Sequence, residues 1–183
     1  MKEKEEIIGL DRKIVKLSKF CPEWITLYRN EEKILEKAIG SLVIDIQHIG
    51  STSIPWLCAK PIIDILIGVD SMKTADKTIK IMEKIGYQFK GEAGIPGRYF
   101  FVKGKEDKRT HHLHMIVYNT ERWKNYLLFR ERLHRSKAVR EEYCKLKIKS
   151  AEKYQYNREA YTESKSEFIQ KTLKDAKNVK QSS

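Results

Sequence analysis

No stretch of this chain approaches the run of about 18 apolar residues that a membrane-spanning helix requires. The opening Met1-Lys2-Glu3-Lys4-Glu5-Glu6 is charged where a secretory leader would be apolar. Cysteine is scarce and scattered. Cys21, Cys58 and Cys144 are odd in number and show neither zinc-ligand spacing nor a disulfide framework. Three free thiols in a cytoplasmic protein, with no membrane partner, are therefore expected. Internal repeats and low-complexity linkers are missing too. Acid is in deficit: 37 Lys and Arg stand against 25 Asp and Glu, a net charge of +12.

What is present suits one domain with a helical appendage, since 183 residues can bury a single core. The 40% apolar content supports that core, and 34% charged residues imply an extensive wetted surface. Charge is uneven along the chain. Residues 119–183 hold 17 basic and 9 acidic side chains, and residues 1–118 hold 20 and 16. A basic tail can hold a nucleotide or RNA electrostatically. The alternative is a lysine-rich solvated helix surface, and interspersed acids argue against a uniform nucleic-acid arm.

Periodicity predicts a short strand at residues 14–17 and a helix over 22–39, with Pro22 in its first turn and Gly40 as its stop. Residues 42–49 and 62–69 read as strands, nearly continuous in apolar character, as befits a sheet covered on both faces. Residues 74–85 fit an amphipathic helix ended by Gly86. Residues 98–103 and 112–118 form a hairpin around the polar turn 104–108. Strand signals stop at Glu121. Helices are expected at 121–135, 137–153 and 157–177, with Ser136 and Asn157 as N-caps and a frayed end from Lys180. The result is an α+β head over residues 1–118, a mixed sheet flanked by helices, and a basic C-terminal helical tail over 119–183 packed on it.

The most informative stretch is His48-Ile49-Gly50-Ser51-Thr52-Ser53 followed by Ala59-Lys60-Pro61-Ile62-Ile63-Asp64-Ile65-Leu66. An isolated ionised carboxylate is expensive to bury, so Asp64 needs a partner, a metal or a place at the open end of its strand. Gly50 and Ser51 supply flexible backbone and N–H groups before a helical turn, a geometry that receives phosphate. Ser51, Thr52 and Ser53 add hydroxyl donors, or they cap that turn. Lys60 can reach a phosphate or remain a surface cation. Period-two geometry sets Ile62, Asp64 and Leu66 on one strand face. It likewise sets His112 and His114 together, opposite His111 and Leu113. Paired imidazoles can converge on one metal or serve as hydrogen-bonded sheet residues. His48 precedes the loop and can orient Asp64 or a phosphate. Arg98 opens a strand and can enter the cleft. Arg130, Tyr143, Lys147 and Lys165 of the tail either close over a ligand or hold tail to head; Tyr143 and Lys147, four apart, share a helical face.

The first of these stretches resembles the signature of the GrpB family, which runs approximately His-Ile-Gly-Ser-Thr-Ser/Ala-hydrophobic-Pro-Gly-Leu-x-Ala-Lys-Pro-x-x-Asp. His112-Leu113-His114 and Phe129-Arg130-Glu131-Arg132-Leu133 also resemble it, so the likeness covers residues 12 to 176. The tail adds a Tyr-x-x-x-Lys element at Tyr161 and Lys165. The resemblance implies a nucleotidyltransferase-like fold related to the polymerase-beta superfamily. Two departures stand out. Leu66 occupies the place of the superfamily's second carboxylate, an absence that GrpB proteins share. Trp56 replaces the Gly usual after the Pro, where a ring can alter the backbone or cover the mouth of a site.

The resemblance further implies a metal-dependent nucleotidyltransferase. Gly50, Ser51 and Lys60 would hold a triphosphate, and Asp64, with His112 or His114, a divalent cation. Histidine in place of a carboxylate moves metal preference from magnesium toward manganese or zinc. The alternative, supported by the missing carboxylate, is a non-catalytic module that binds a nucleotide, coenzyme or phosphorylated metabolite. GrpB-like domains joined to dephospho-coenzyme A kinase agree with the coenzyme version. An RNA adaptor ranks last, because the chain lacks the interleaved aromatics of an RNA-recognition surface.

Overall fold

The computed structural model describes residues 7–11, 13–105 and 107–181, with side chains to residue 178. Six strands form one mixed sheet: β1 (Leu10–Asp11), β2 (Asp45–Ile49), β3 (Ile63–Val69), β4 (Tyr87–Phe89), β5 (Arg98–Gly104) and β6 (Lys108–Val117). Their order is β2-β3-β6-β5-β4, and β1 pairs with the start of β6. The central β3 and β6 run parallel, and the other neighbours are antiparallel. Helices α1 (Glu23–Ile39) and α2 (Met72–Lys84) belong to the head. Helices α3 (Glu121–Arg135), α4 (Lys137–Lys153), α5 (Arg158–Glu163) and α6 (Ser166–Gln181) make the tail.

Strand alternation sorts the two faces. Ile63, Ile65, Ile67 and Val69 of β3 join Leu113 and Met115 of β6 in the main core, against Trp24, Leu35 and Ile39 of α1 and Ala75 and Met82 of α2. Glu31 of α1 is buried but paired, accepting from Lys103 Nζ at 2.7 Å and Tyr87 Oη at 3.0 Å. The opposite face carries Ile49, Leu66 and Ile116, which pack on Trp123 of α3. Leu66 thus spends the place of the missing carboxylate on seating the tail.

Several boundaries differ from the sequence reading, each for a local reason. Residues 14–17 form no strand. Val15 N–H donates to the Gln155 carbonyl, and Ser18 bridges Ala59, so this segment is satisfied without joining the sheet. Residues 40–42 add a 3-10 turn to α1, and β2 starts only at Asp45. Strand β4 was not expected. β6 starts at Lys108, because Leu10 and Asp11 pair with its first residues. The helix expected over 157–177 is two, and the Ser164 hydroxyl at the break donates to the Tyr161 carbonyl. Ser136 and Asn157 cap α4 and α5 as expected. Helix α6 runs through Gln181, and the last two residues of the expected frayed end lie outside the described residues.

The cysteines require a correction. Cys58 and Cys144, 86 residues apart in sequence, are joined in a disulfide with a Cα separation of 5.9 Å. Cys21 is the free thiol. Spacing gave no sign of the pair because docking of α4 brings it together. No helix among the described residues is long and apolar enough to cross a membrane.

Gly68 of β3 lies directly beneath α3. A Cβ built there would stand 2.8 Å from Tyr118 Cδ2 and 3.0 Å from Trp123 Cζ3. Gly68→Ala should therefore push the aromatic pair off the sheet and cost about 1–3 kcal/mol, seen as a lower urea midpoint with an unchanged slope.

Candidate functional site

Where Leu66 and Ile116 give way to Asp64, His112 and His114, the sheet parts from the tail. The gap is a cavity of about 370 Å³, within the range of small-molecule sites. Its floor comes from β3, β6 and β5. In the parallel register Asp64 lies opposite His112 and Leu66 opposite His114; in the antiparallel one, Phe100 of β5 lies opposite His114. The rim is Gly50 and Ser51. The roof is Tyr126, Phe129, Arg130, Tyr143, Lys147, Arg158, Tyr161 and Lys165.

Asp64 and His112 form the centre. His112 Nδ1 stands 3.3 Å from Asp64 Oδ1. Burial opposes ionisation of Asp64, but the hydrogen bond from His112, then His114 and Lys60, outweighs it and holds the carboxyl below its usual range. Burial holds His112 below the ordinary histidine value, although Asp64 opposes this. The pair is a carboxylate accepting from a neutral imidazole. His114 is pushed down to about 3 by burial. Its Nδ1 accepts from Arg98 Nη1 at 3.3 Å, which leaves the other nitrogen as the donor. Arg98 is itself held by the Glu92 and Ala93 carbonyls, each at 3.0 Å.

Three lysines gather against this centre from different elements. Lys147 Nζ donates to Ser51 Oγ at 2.8 Å and to the Cys58 carbonyl, bolting α4 to the rim. Burial, reinforced by Lys165 and Lys60, drives it well below its ordinary value. Lys165 sits over the Tyr161 ring at 4.1 Å and is lowered to about 7, first by burial and then by Lys60. Lys60 lies over the same ring at 5.1 Å and is lowered to about 8, by burial and then by Arg158. Arg130 spans from α3 to β2, donating to Gln47 Oε1 at 2.8 Å and the His48 carbonyl at 2.9 Å.

The lining therefore collects Gly50, Ser51, Lys60, Asp64, Arg98, His112, His114, Arg130, Tyr143, Lys147 and Lys165. It does not collect three others. His48 projects through the opposite sheet face, because Ile49 is the residue facing Asp64 in register. Its ring stacks on Tyr28 at 4.4 Å, and Nε2 lies 3.1 Å from Thr52 Oγ1. It cannot orient Asp64 directly and braces the loop from behind. Thr52 is buried, with its hydroxyl donating to the Ile62 carbonyl; Ser53 donates to the Gly50 carbonyl. These hydroxyls shape the loop and do not face the cavity. Trp56 does not cover the mouth either. It is 79% exposed and lies 5.6 Å from Arg140 on the outer surface. Its φ of 64° is the left-handed conformation that Gly adopts most readily.

Tyr161 lines the cavity beside Lys165, its partner in the Tyr-x-x-x-Lys element, and Phe129 does so from the stretch that resembles the family. Sequence reasoning passed over Phe100, Tyr126 and Arg158. These three need the register and the helix docking.

A resident divalent cation does not suit these donors. Among the described lining residues one carboxylate, Asp64, faces six cationic side chains: Lys60, Arg98, Arg130, Lys147, Arg158 and Lys165. His114 Nδ1 is engaged by Arg98, and no group of three His, Cys, Asp or Glu side chains converges among the described residues. The field favours an anion.

Gly50 makes the close approach possible. Its φ of 70° with ψ of −174° is a backbone region essentially restricted to Gly, and a Cβ there would collide with Asp64 Oδ2. Gly50→Ala should cost about 1–3 kcal/mol by chemical denaturation and displace the Asp64 carboxylate. Lys165 gives a pH signature. Its folded value of about 7 lies below its ordinary 10.5. The unfolded chain therefore holds more protons between those values, and stability rises with pH across that window. Lys165→Met should stabilise the free protein most at and below about pH 7, and the advantage over wild type should shrink toward pH 10, measured by thermal melts across pH.

The sequence pattern described as GrpB protein matches residues 14–175. The chain is 35% identical over 173 residues to the glutamate-rich protein GrpB of Alkalihalophilus pseudofirmus, covering 92% of this chain and 99% of that one. It is 37% identical over 166 residues to the UPF0157 protein YqkA of Bacillus subtilis, covering 91% of this chain and 48% of the relative. The crystal structure of conserved protein GrpB from Enterococcus faecalis superposes with a TM-score of 0.81 at 34% identity, over 88% of this chain and 96% of the other. The nucleotidyltransferase-like α+β class implied by the signature is the class observed.

Proposed function

We propose a function for a chain that belongs to the GrpB family: its cavity binds a nucleotide or a closely related phosphorylated coenzyme. The observation that carries this reading is the charge imbalance of the lining, with Lys60 and Lys165 held over one ring and no ion pair made by either among the described residues. Two clustered ammonium groups with lowered affinity for protons recover their ordinary charge when a polyanion arrives, so phosphate binding and proton uptake reinforce each other. Ser51, on the loop that opens with the strained Gly50, adds a polar contact at the rim. Phe100, Tyr126 and Phe129 supply ring faces on which a base can stack. The volume suits a mononucleotide better than a strand of RNA, whose bases would need an open platform.

Metal-dependent nucleotidyl transfer is what the family resemblance implies; one carboxylate among six cationic side chains supports binding of an anion rather than of a resident cation.

Isothermal titration calorimetry on the full chain with ATP, GTP, inorganic triphosphate and adenosine, with and without magnesium or manganese, tests the proposal. The triphosphates should bind, adenosine should bind far more weakly, and affinity should fall with added salt. Lys165→Met or Lys60→Met should each weaken triphosphate binding about tenfold, the loss of one charge-assisted contact. No binding by any phosphorylated probe, or affinity indifferent to both substitutions, would overturn it.

A further inference from the structure

We propose that the Cys58–Cys144 disulfide is a site of reversible thiol exchange that sets the affinity of the cavity, opened by small anionic thiols at a groove on the outer surface. This inference rests on the anion-binding reading above and adds its control. The bond lies on the seam between head and tail. Cys58 belongs to the segment between the Gly50–Ser53 loop and β3, and Cys144 to α4, with a Cα separation of 5.9 Å. Both residues are half-buried. Their chain neighbours face the ligand cavity: Lys60 on one side, Tyr143 and Lys147 on the other.

The coupling runs through Lys147, one helical turn beyond Cys144. Its Nζ donates to Ser51 Oγ at 2.8 Å and to the carbonyl of Cys58 itself. Cys58 is thus tied to α4 twice, covalently by its sulfur and through a hydrogen bond by its carbonyl. Without the covalent tie, α4 keeps its apolar seat, where Tyr143 shares a cluster with Ile54, Leu57 and Leu133. The helix therefore stays docked, but less tightly fixed. Ala59 remains bridged to Ser18, so the helix gains the freedom and not the segment that carries Cys58. Ser51, Tyr143 and Lys147 all line the cavity. Holding them in place before the ligand arrives removes the cost of ordering them on binding. The oxidised state is accordingly the tight-binding one.

On its outer side Cys144 lines an open groove of about 640 Å³ beside Trp56. Lys137, Arg140 and Lys145 outnumber Glu141 among the described lining residues, so the field there attracts an anionic thiolate. The exposed Trp56 ring and Arg140, 5.6 Å apart, cross the same seam. Disulfides within reach of solvent and set among cations are the ones that exchange readily.

The exchange balances with the small thiol as reductant. Its thiolate attacks Cys144 Sγ and forms a mixed disulfide; the electron pair of the broken S–S bond leaves on Cys58 Sγ, which takes a proton from solvent. A second thiolate attacks the small-thiol sulfur of the mixed disulfide. Cys144 then leaves as a thiolate and is protonated in turn. Two electrons have passed to the protein, and the two small thiols depart as their own disulfide. The same disulfide, by the reverse sequence, restores the Cys58–Cys144 bond.

The test uses the full chain carrying Cys21→Ser, which removes the free thiol from the exchange. Inorganic triphosphate and ATP are titrated by calorimetry into the oxidised protein, the same protein reduced by dithiothreitol, and the protein reoxidised. Reduction should raise Kd about fivefold or more, and reoxidation should restore it. The double substitution Cys58→Ser with Cys144→Ser should bind like the reduced protein and ignore dithiothreitol, with a cooperative melt showing that it folds. Linkage demands the reciprocal effect. In a dithiothreitol redox buffer, saturating triphosphate should shift the equilibrium toward the disulfide by the same factor, read by thiol alkylation and mass. A disulfide that only stabilises the fold would show neither shift. Mercaptoethanesulfonate should open the bond faster than cysteamine at equal thiolate concentration, a gap that added salt closes; equal rates would overturn the groove as the point of entry. Equal affinity of the two states, or tighter binding by the reduced one, would overturn the control and leave the binding reading standing. Failure of both states to bind either probe would instead remove both.

Discussion

The parallel pairing of β3 with β6 is the constraint on which the rest depends. Both strands are covered on both faces, so their backbone groups must be satisfied in the ladder and their side chains must suit two different layers. On one side the layer is uninterrupted, with Ile63, Ile65, Ile67 and Val69 beside Leu113 and Met115 under α1 and α2. On the other, Leu66 and Ile116 meet Trp123, and Gly68 lets the aromatic rings approach the backbone. At the N-terminal end of β3 that apolar layer stops. Asp64, His112 and His114 take over, and the helices that would otherwise seal the sheet stand off to form a cavity.

The cavity is costly to maintain without a ligand. Six cationic groups converge on one carboxylate, and Lys147 is buried with its hydrogen bonds made to neutral acceptors. The structure tolerates this through hydrogen bonds to neutral acceptors and through ring faces: Ser51 and the Cys58 carbonyl for Lys147, and Tyr161 for Lys60 and Lys165. Neutral acceptors satisfy donors without cancelling charge. The net field is left for an incoming anion; burial first, and neighbouring cations after it, lower the affinities of these lysines for protons. The same fact separates this site from a carboxylate-rich metal centre. It also accounts for the tail, since Lys147, Arg158 and Lys165 come from α4 to α6 and their surroundings, while Lys60 and Ser51 come from the head. The Cys58–Cys144 disulfide and the Arg130 bridge to β2 hold these halves of the site in place.

Much of this was legible before any coordinates. Near-continuous apolar strands, caps at Ser136 and Asn157, and the lone carboxylate inside an apolar run are local signals with local causes. They located α1, α2, β3 and the tail helices and singled out Asp64. Spacing of two put His112 and His114 on one face, and spacing of four did the same for Tyr143 and Lys147. These inferences succeed because a strand or helix fixes direction from its own periodicity.

What the chain alone determined is the set of elements and the chemistry they carry: a basic helical tail, a Gly-Ser loop, a carboxylate within an apolar strand and a histidine-bearing strand. What the tertiary structure decided is which of those groups meet. His48 precedes the loop yet turns through the other face, because one step of register reverses every side chain. Thr52 and Ser53 bond inward, and Cys58 finds Cys144 across 86 residues. Arg158 and Tyr161 of α5 line the site together with Ile169 of α6, on either side of the break at Ser164. Each depends on an alignment between segments distant in sequence. Such alignments are set by the packing of whole layers, and no local pattern encodes them.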